Sequence, residues 1–377
     1  MKFYYFDNAA TTRLDNEVLR SMIPYSNEVY GNASSSYKLG RDSKMAIENS
    51  RQKVAKILGC KTTEIYFTSG GTESDNTALK GIAHANRNKG NHIITTAIEH
   101  PAVLESCKEL EKEGFLVTYL PVDDVGLLDL KILKNSITNS TILISVMYAN
   151  NEIGTVEPIK EIGAIAHKYN IPFHTDAVQA VGALPLNVDK LNIDALSMSA
   201  HKFYGPKGIG ALYVRETVPF DRFMSGGHQE RNMRAGTENV AGIVGLGTAI
   251  DLAYRNINSH NRHIAGLRDY FLNNMLRIFP DLKVNGSLKH RLPGNINISF
   301  KNVYGKTLLN ALDELGIYAS AGSACSAGIT RLSHVLDAIG IPEPYSQNSL
   351  RITIGKNNTK DEINYLIYAL KRIISHL

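Results

Sequence analysis

The sequence predicts an α/β protein: a large, doubly wound, mostly parallel sheet of seven strands, followed by a smaller α+β unit. Three observations carry that expectation. From about residue 60 to 215, short β-branched runs alternate with helical patterns, as β-α-β units require. Over Val240–Ile278 the pattern becomes a long helical stretch, and beyond it come shorter, mixed elements. At 377 residues the chain is also longer than most single-core domains, which favours two packed units.

The strand candidates are Glu64–Thr68, His92–Thr95, Leu116–Leu120, Thr141–Val146, Pro172–Thr175, Ala195–Met198 and Gly210–Val214. Helix candidates between them include Thr72–Asn88, Pro101–Glu113 and Pro158–Tyr169. The last two open on Pro, which the first helical turn tolerates because its N–H groups have no intrahelical acceptor. In the smaller unit, Asn295–Phe300 and Leu350–Ile354 read as strands, Lys306–Leu315 and Lys360–Ser375 as helices. Ligands of a doubly wound sheet gather at the carboxyl ends of its strands, so the chemistry is sought there.

Composition narrows the function classes. Hydrophobic residues at 43% and charged residues at 20% are ordinary for a globular protein. The net charge of +5 comes from scattered Lys and Arg with no dense basic stripe, so a primary nucleic-acid role is not expected. Three cysteines, Cys60, Cys107 and Cys325, form no C-x-x-C pair; no disulfide framework and no metal site are expected, and a reducing compartment is. Met1–Thr12 lacks an apolar run, and no stretch approaches the about 18 apolar residues of a membrane span. A cytoplasmic protein without a membrane segment is the expectation.

Three segments at the ends of predicted strands carry candidate chemistry. Ser69-Gly70-Gly71-Thr72-Glu73-Ser74 follows a strand and opens a helix, where free N–H groups and the positive end of the helix dipole stabilise a phosphate; a plain turn with Thr72 as helix cap is the alternative. His174-Thr175-Asp176-Ala177-Val178-Gln179 puts a carboxylate at a strand tip, where it can pair with a protonated pyridine nitrogen, with Gln179 able to reach a ring oxygen; Asp176 could instead cap a helix. Ser197-Met198-Ser199-Ala200-His201-Lys202 follows another strand. A lysine that bonds covalently to a carbonyl must be neutral for part of its cycle, which suits Lys202 in a partly buried site, with Ser199 and His201 placed for a phosphate; a solvated surface charge is the alternative.

In order along the chain, Gly70-Gly71-Thr72-Glu73-Ser74, Ile98-Glu99-His100-Pro101-Ala102-Val103, Asn150-Asn151-Glu152-Ile153-Gly154-Thr155, Ser199-Ala200-His201-Lys202, Arg234-Ala235-Gly236-Thr237-Glu238 and Gly322-Ser323-Ala324-Cys325 resemble the NifS/IscS-type cysteine desulfurases. These enzymes form part of the class V aminotransferase branch of the fold-type I enzymes that use pyridoxal 5'-phosphate (PLP). The matches run from Tyr5-Phe6-Asp7-Asn8-Ala9-Ala10 to Ser349-Leu350-Arg351, essentially the whole chain.

The resemblance implies a fold-type I PLP-dependent transferase with a large PLP-binding domain over 15–255. A small domain, from 1–14 and 256–377, would carry the sulfur-accepting Cys loop. It implies Lys202 as the covalent anchor of PLP, Asp176 on the pyridine nitrogen, His100 over the ring and in proton transfers, and Gln179 on the phenolic oxygen. Phosphate would be held by Gly71, Thr72, Ser199 and His201, and by Thr237 from a second subunit of a homodimer. Asn151 and Arg351 would hold the carboxylate of L-cysteine, with Asn151 also near the cofactor. Cys325 would take the substrate's sulfur as a persulfide, leaving alanine, for a sulfur-acceptor protein such as an iron–sulfur scaffold or a tRNA or thiamin thiolation enzyme.

Context agrees for Cys325, which lies in the small-residue run Ala319–Gly328, whereas Cys60 and Cys107 read as packing residues. Two departures stand out: Gly31-Asn32-Ala33-Ser34-Ser35-Ser36-Tyr37, where the family usually has Pro and a later His, and Thr330-Arg331-Leu332-Ser333-His334, where it usually reads Leu-Glu-Pro-Ser-His. The alternatives are a selenocysteine lyase or another class V transaminase and, more distantly, a binding protein that keeps the fold without the activity.

Overall fold

The computed structural model describes residues 3–301, 303–321 and 333–376. Its strands are β1 (Tyr4–Tyr5), β2 (Ile65–Thr68), β3 (His92–Thr96), β4 (Leu116–Leu120), β5 (Thr141–Ser145), β6 (Phe173–Asp176), β7 (Ala195–Ser199), β8 (Gly210–Val214), β9 (Lys283–Val284), β10 (Asn295–Ser299), β11 (Ile317–Tyr318) and β12 (Ser349–Thr353). Seven of them form one sheet in the order β2-β8-β7-β6-β5-β3-β4. The inner strands β3, β5, β6 and β7 are buried along their whole length, because helices cover both faces of the sheet. That is why they read as continuous runs such as Thr141-Ile142-Leu143-Ile144 rather than as alternating ones.

Strand direction sets where the site forms. The pairs from β4 through β7 are parallel, whereas β8 runs antiparallel to both β7 and β2. The carboxyl ends of β2, β3, β5, β6 and β7 therefore open on one edge of the sheet. Gly71, His100, Asn151, Asp176 and Lys202 follow or end these five strands.

A second hydrophobic cluster, around Phe6, Phe271, Ile298, Leu308, Leu350 and Leu366, sits on the antiparallel sheet β12-β10-β9 and its helices. The first residues join it: β1 pairs with β11, and Asp7 bridges to Thr353. The long helical stretch expected over Val240–Ile278 is two helices, Val240–Arg255 and Ile257–Ile278, broken at Asn256 with φ −120° and ψ 15°. An Asn side chain competes with the backbone for hydrogen bonds and favours helix ends, which places the break there. Among the described residues no helix is long and apolar enough to cross a membrane.

One buried ion pair fixes the outer face of the large sheet. Arg51, 3% exposed on the helix Lys38–Leu58, grips Glu230 with two parallel hydrogen bonds of 2.7 and 2.8 Å. Glu230 also accepts the N–H of Phe67 at 2.9 Å, and Arg51 donates to the Ile65 carbonyl at 2.8 Å. The pair holds Glu230, Arg231 and Asn232 in left-handed conformations, with φ of 44°, 56° and 67°. Arg51→Ala leaves the Glu230 carboxylate buried without its cation and is expected to lower unfolding stability by about 3–5 kcal/mol. Removing Glu230 as well should cost less than the sum of the two single changes, as denaturant melts of the three variants would record.

Candidate active site

The open edge of the large sheet and the β10–β12 unit enclose a cavity of about 930 Å³. One end is built for an anion. The helix Gly71–Ala85 starts there, and the first N–H groups of an α-helix have no intrahelical acceptor. Gly71 is required by space: a Cβ on it would lie 2.7 Å from Val178 Cγ2. The acid of this first turn, Glu73, is turned aside, accepting the Ser69 N–H at 2.8 Å and holding Arg234 at 2.8 and 3.2 Å. Thr72, Ser199 and His201 complete the wall. Burial pushes the His201 imidazole down to about 4, with Lys202 and Lys207 adding to the shift, so at neutral pH it is an uncharged ring with Nδ1 3.1 Å from Thr11 Oγ1.

Next to this end stand a lysine and a buried carboxyl. Lys202 follows β7, and its Nζ donates to the carbonyls of Ala9 and of Ala10, the latter at 2.8 Å. Asp176 ends β6, is 5% exposed, and accepts the Val178 N–H at 2.9 Å. Burial raises its pKa, while His100 and Lys202 oppose the rise. His100 caps the helix Pro101–Lys112, its Nδ1 accepting the Ala102 N–H at 3.1 Å. The neutral ring therefore carries its proton on Nε2, and burial favours that neutral form. Gln179 also lines the cavity and donates to the Ala9 carbonyl at 3.0 Å.

The remaining wall comes from the β10–β12 unit and the turn after β5. Arg351, 3% exposed on β12, donates to Asp7 Oδ1 at 2.9 Å and to the Asn151 carbonyl at 3.3 Å. Its Nε has no hydrogen-bond partner among the described residues. Beside it Glu152 accepts from Ser333 Oγ at 2.5 Å, and burial pushes this carboxyl up to about 7 against the opposing effects of Ser333 and Arg351. His334 Nε2 lies 2.9 Å from the Glu99 carbonyl.

Gly71, Thr72, His100, Asn151, Asp176, Gln179, Ser199, His201, Lys202 and Arg351, all read from the sequence, line this one cavity. Thr237 does not; it is exposed on the chain's surface. Cys325 lies outside the described residues. Cys107 is fully buried in apolar surroundings and Cys60 packs against the main core; burial pushes each thiol up to about 12, as suits packing residues. Sequence reasoning gave no role to Asp7, Asp75, Glu152 or Ser333. Asp7 and Glu152 lay inside quoted motifs, but nothing in those motifs says that they touch Arg351 and Ser333.

The aminotransferase class-V family model matches residues 4–366. A cysteine desulfurase IscS of Methanosarcina thermophila is 52% identical over 376 residues, covering 100% of this chain and 93% of that protein. Among solved structures, a NifS-like protein superposes with a TM-score of 0.94 at 41% identity, covering 100% of both chains. SspA in complex with cysteine superposes with a TM-score of 0.83 at 36% identity, covering 95% of this chain and 100% of that one.

The Glu152 carboxyl gives a pH signature. The folded chain keeps its proton up to about pH 7, whereas an unfolded Glu releases it near the ordinary value of 4.5. Across that window the folded state binds more protons than the unfolded state, so the contribution is present at low pH and lost as pH rises. Glu152→Gln removes the titration. The stability of the native chain relative to this variant is expected to fall between pH 4.5 and 7 by up to about 1.4 kcal/mol per pH unit, and to level off above, in urea melts of both proteins.

Proposed function

The chain belongs to the aminotransferase class-V family and is a cysteine desulfurase, and from that premise we propose how its own residues hold PLP, bind L-cysteine and pass on the sulfur. The class is PLP-dependent, and the cavity fits that group. A helix start with Thr72, Ser199 and His201 offers donors for a phosphate, Gly71 leaves room that a Cβ would take, and Asp176 and Lys202 line the same cavity. Lys202 is the covalent anchor, Asp176 the partner of the pyridine nitrogen, His100 the residue over the ring and Gln179 the donor to its phenolic oxygen. Bound there, PLP supplies an electron sink for the carbanion left when the substrate's Cα loses its proton.

The protein's residues do the rest. Arg351 receives the substrate carboxylate, since a guanidinium binds a carboxylate with two prongs and its Nε is not engaged by the described residues. Asn151, at the same wall, is its companion. Lys202, released from its anchoring role, moves the proton at Cα, and His100, which lines the cavity with Nδ1 already bonded to the Ala102 N–H, uses its Nε2 for a further proton transfer. Cys325, as thiolate, attacks the substrate's sulfur. The C–S bond breaks with its electron pair left on carbon, an S–S bond forms, and protonation of that carbon completes alanine. The persulfide then passes to an acceptor protein.

The division into a large unit over 15–255 and a small one from 1–14 and 256–377 is supported by the separate apolar cluster around Phe6, Phe271 and Leu350. A homodimer in which Thr237 reaches the partner's phosphate site is supported by the exposure of Thr237 and by the anchoring just before it, where Arg234 is held on Glu73.

The observation that carries the reading is the convergence of Lys202, Asp176, an anion-binding helix start and a buried arginine on one cavity. Lys202→Ala should remove the absorbance of covalently held PLP and lower alanine formation from L-cysteine by about 10²-fold or more. A variant that kept both would overturn the assignment. Cys325→Ala should keep PLP and cysteine binding yet yield no protein-bound persulfide, read by mass spectrometry after incubation with labelled L-cysteine. Persulfide formation at native levels would reassign the nucleophile.

A further inference from the structure

Asp75 is a buried acid that the reaction described above does not use. It stands on the fifth residue of the helix Gly71–Ala85, near the helix start, where acids are common because the dipole favours them at the surface. Here the side chain is turned inward and is 1% exposed. Its carboxyl, that of Asp176 and the His100 ring bring polar atoms within 4.8 Å of one another.

The groups around Asp75 decide its charge. Its Oδ1 has no hydrogen-bond partner among the described residues. The nearest basic ring, His174 on β6, lies 3.8 Å from that oxygen, but its nitrogens are engaged by Ser145 Oγ at 2.9 Å and Ser197 Oγ at 3.0 Å, and burial pushes it down to about 3. His174 is therefore neutral. Ser197 offers Asp75 a hydrogen bond, whereas Asp176 repels a negative charge there. Burial, the largest cause, acts in the same direction and raises the Asp75 pKa well above its ordinary range. Asp176, by contrast, accepts the Val178 N–H at 2.9 Å, a bond that favours its charged form, and His100 and Lys202 favour that form too. Two carboxyls this close, both withdrawn from water, cannot both ionise, and the one with charge-stabilising neighbours takes the charge.

We propose that Asp75 is a positioning residue of the cofactor site: a carboxyl held neutral beside Asp176, it keeps the pair's single negative charge on the carboxylate that faces the pyridine nitrogen. This rests on the reading of Asp176 as the partner of that nitrogen. The consequence is chemical. A hydrogen-bond donor beside a carboxylate lowers its basicity. With its proton directed from the unpaired Oδ1 toward Asp176, Asp75 would keep that carboxylate ionised in a dry site, so that a proton on the ring nitrogen of bound PLP would stay there. Without that donor Asp176 would be more basic than the ring nitrogen and would take its proton.

The test loads the full-length enzyme with ¹⁵N-labelled PLP and reads the nitrogen shift, which reports whether the ring is protonated. In the native enzyme the ring nitrogen should be protonated. Asp75→Val should move the shift toward the unprotonated value and slow alanine formation by about tenfold or more. Asp75→Asn, whose amide keeps the shape, the neutrality and the donor, should restore the protonated shift and most of the rate. If Asp75→Asn behaves like Asp75→Val, Asp75 acts through a negative charge and the proposal fails; it fails equally if neither variant moves the shift. Should Asp75→Val not fold, infrared difference spectra of native enzyme minus Asp75→Asn decide the matter: a protonated-carboxyl band at pH 8 belonging to Asp75 supports it, and an ionised-carboxylate band overturns it. An unprotonated ring, or no bound PLP, in the native enzyme would instead sink the reading of Asp176, a separate outcome.

Discussion

Residues Asp7–Thr12 are the stretch on which the rest of the site leans. Asp7 takes the Arg351 guanidinium, and the Ala9 carbonyl accepts from both Lys202 and Gln179. Ala10 takes a second bond from Lys202, Thr11 meets the His201 ring, and Thr12 donates to the His201 carbonyl. This strap is itself fixed to the small sheet, since Ala9 N–H donates to Thr353 Oγ1 and Asn8 donates to the Thr353 carbonyl. One short segment thus ties residues beyond β6 and β7 to a residue on β12. The lysine, the histidine of the anion end and the arginine, which come from distant parts of the chain, share one frame: Lys202 through backbone carbonyls, the His201 ring through the Thr11 hydroxyl and Arg351 through the Asp7 carboxylate.

The electrostatics of the cavity follow from its dryness. Burial raises the acids Asp75 and Asp176, pushes Glu152 up to about 7 and Glu99 up to about 8, and lowers the imidazoles of His100, His174 and His201. Near neutral pH burial thus favours uncharged imidazoles, and the cations lining the cavity are Lys202, Arg351 and the exposed Lys108. A ligand with a dianionic phosphate and a protonatable ring brings charges that such a site is poised to organise, and each of them would feel a low dielectric. The preference for neutral imidazoles also suits proton transfer, because a ring with one bound proton and one lone pair can both give and take.

Much of this was legible in the sequence because it depends on local pattern. The runs over 116–120 and 210–214 coincide with β4 and β8 to the residue, and Asp176 and Lys202 were sought at strand ends because that is where a doubly wound sheet puts its ligands. What stayed hidden depends on burial across long separations. Asp75 reads as an ordinary acid near a helix start, and only the packing of that helix on β6 and β7 turns it inward. Asp7 reads as one polar residue near a chain end, and its ion pair with Arg351 joins positions that no periodicity connects. The break at Asn256 falls in the polar stretch Arg255–His263, where Ile257 alone is apolar, so no change of apolar period marks it. Thr237 is the reverse case: a motif singled it out, yet within one chain it lies away from the cavity.

The two flanks of the segment that carries Cys325 bear on how binding and sulfur transfer are linked. On the near side, Ser320 exchanges backbone hydrogen bonds with Arg351, at 3.1 and 2.6 Å. On the far side, Ser333 binds Glu152 and also caps the helix His334–Ala338, while His334 meets the Glu99 carbonyl. Both attachments are made to residues of the cavity wall around Arg351, since Glu152 follows Asn151 and also interacts electrostatically with Arg351. A substrate that engages Arg351 therefore acts on the same backbone that holds one end of the segment. The proton of Glu152 governs the hydrogen bond that holds the other. On the proposed roles of Arg351 and Cys325, recognition of the amino acid and anchoring of the nucleophile's segment meet at Arg351, while Glu152 beside it holds the segment's other flank through Ser333.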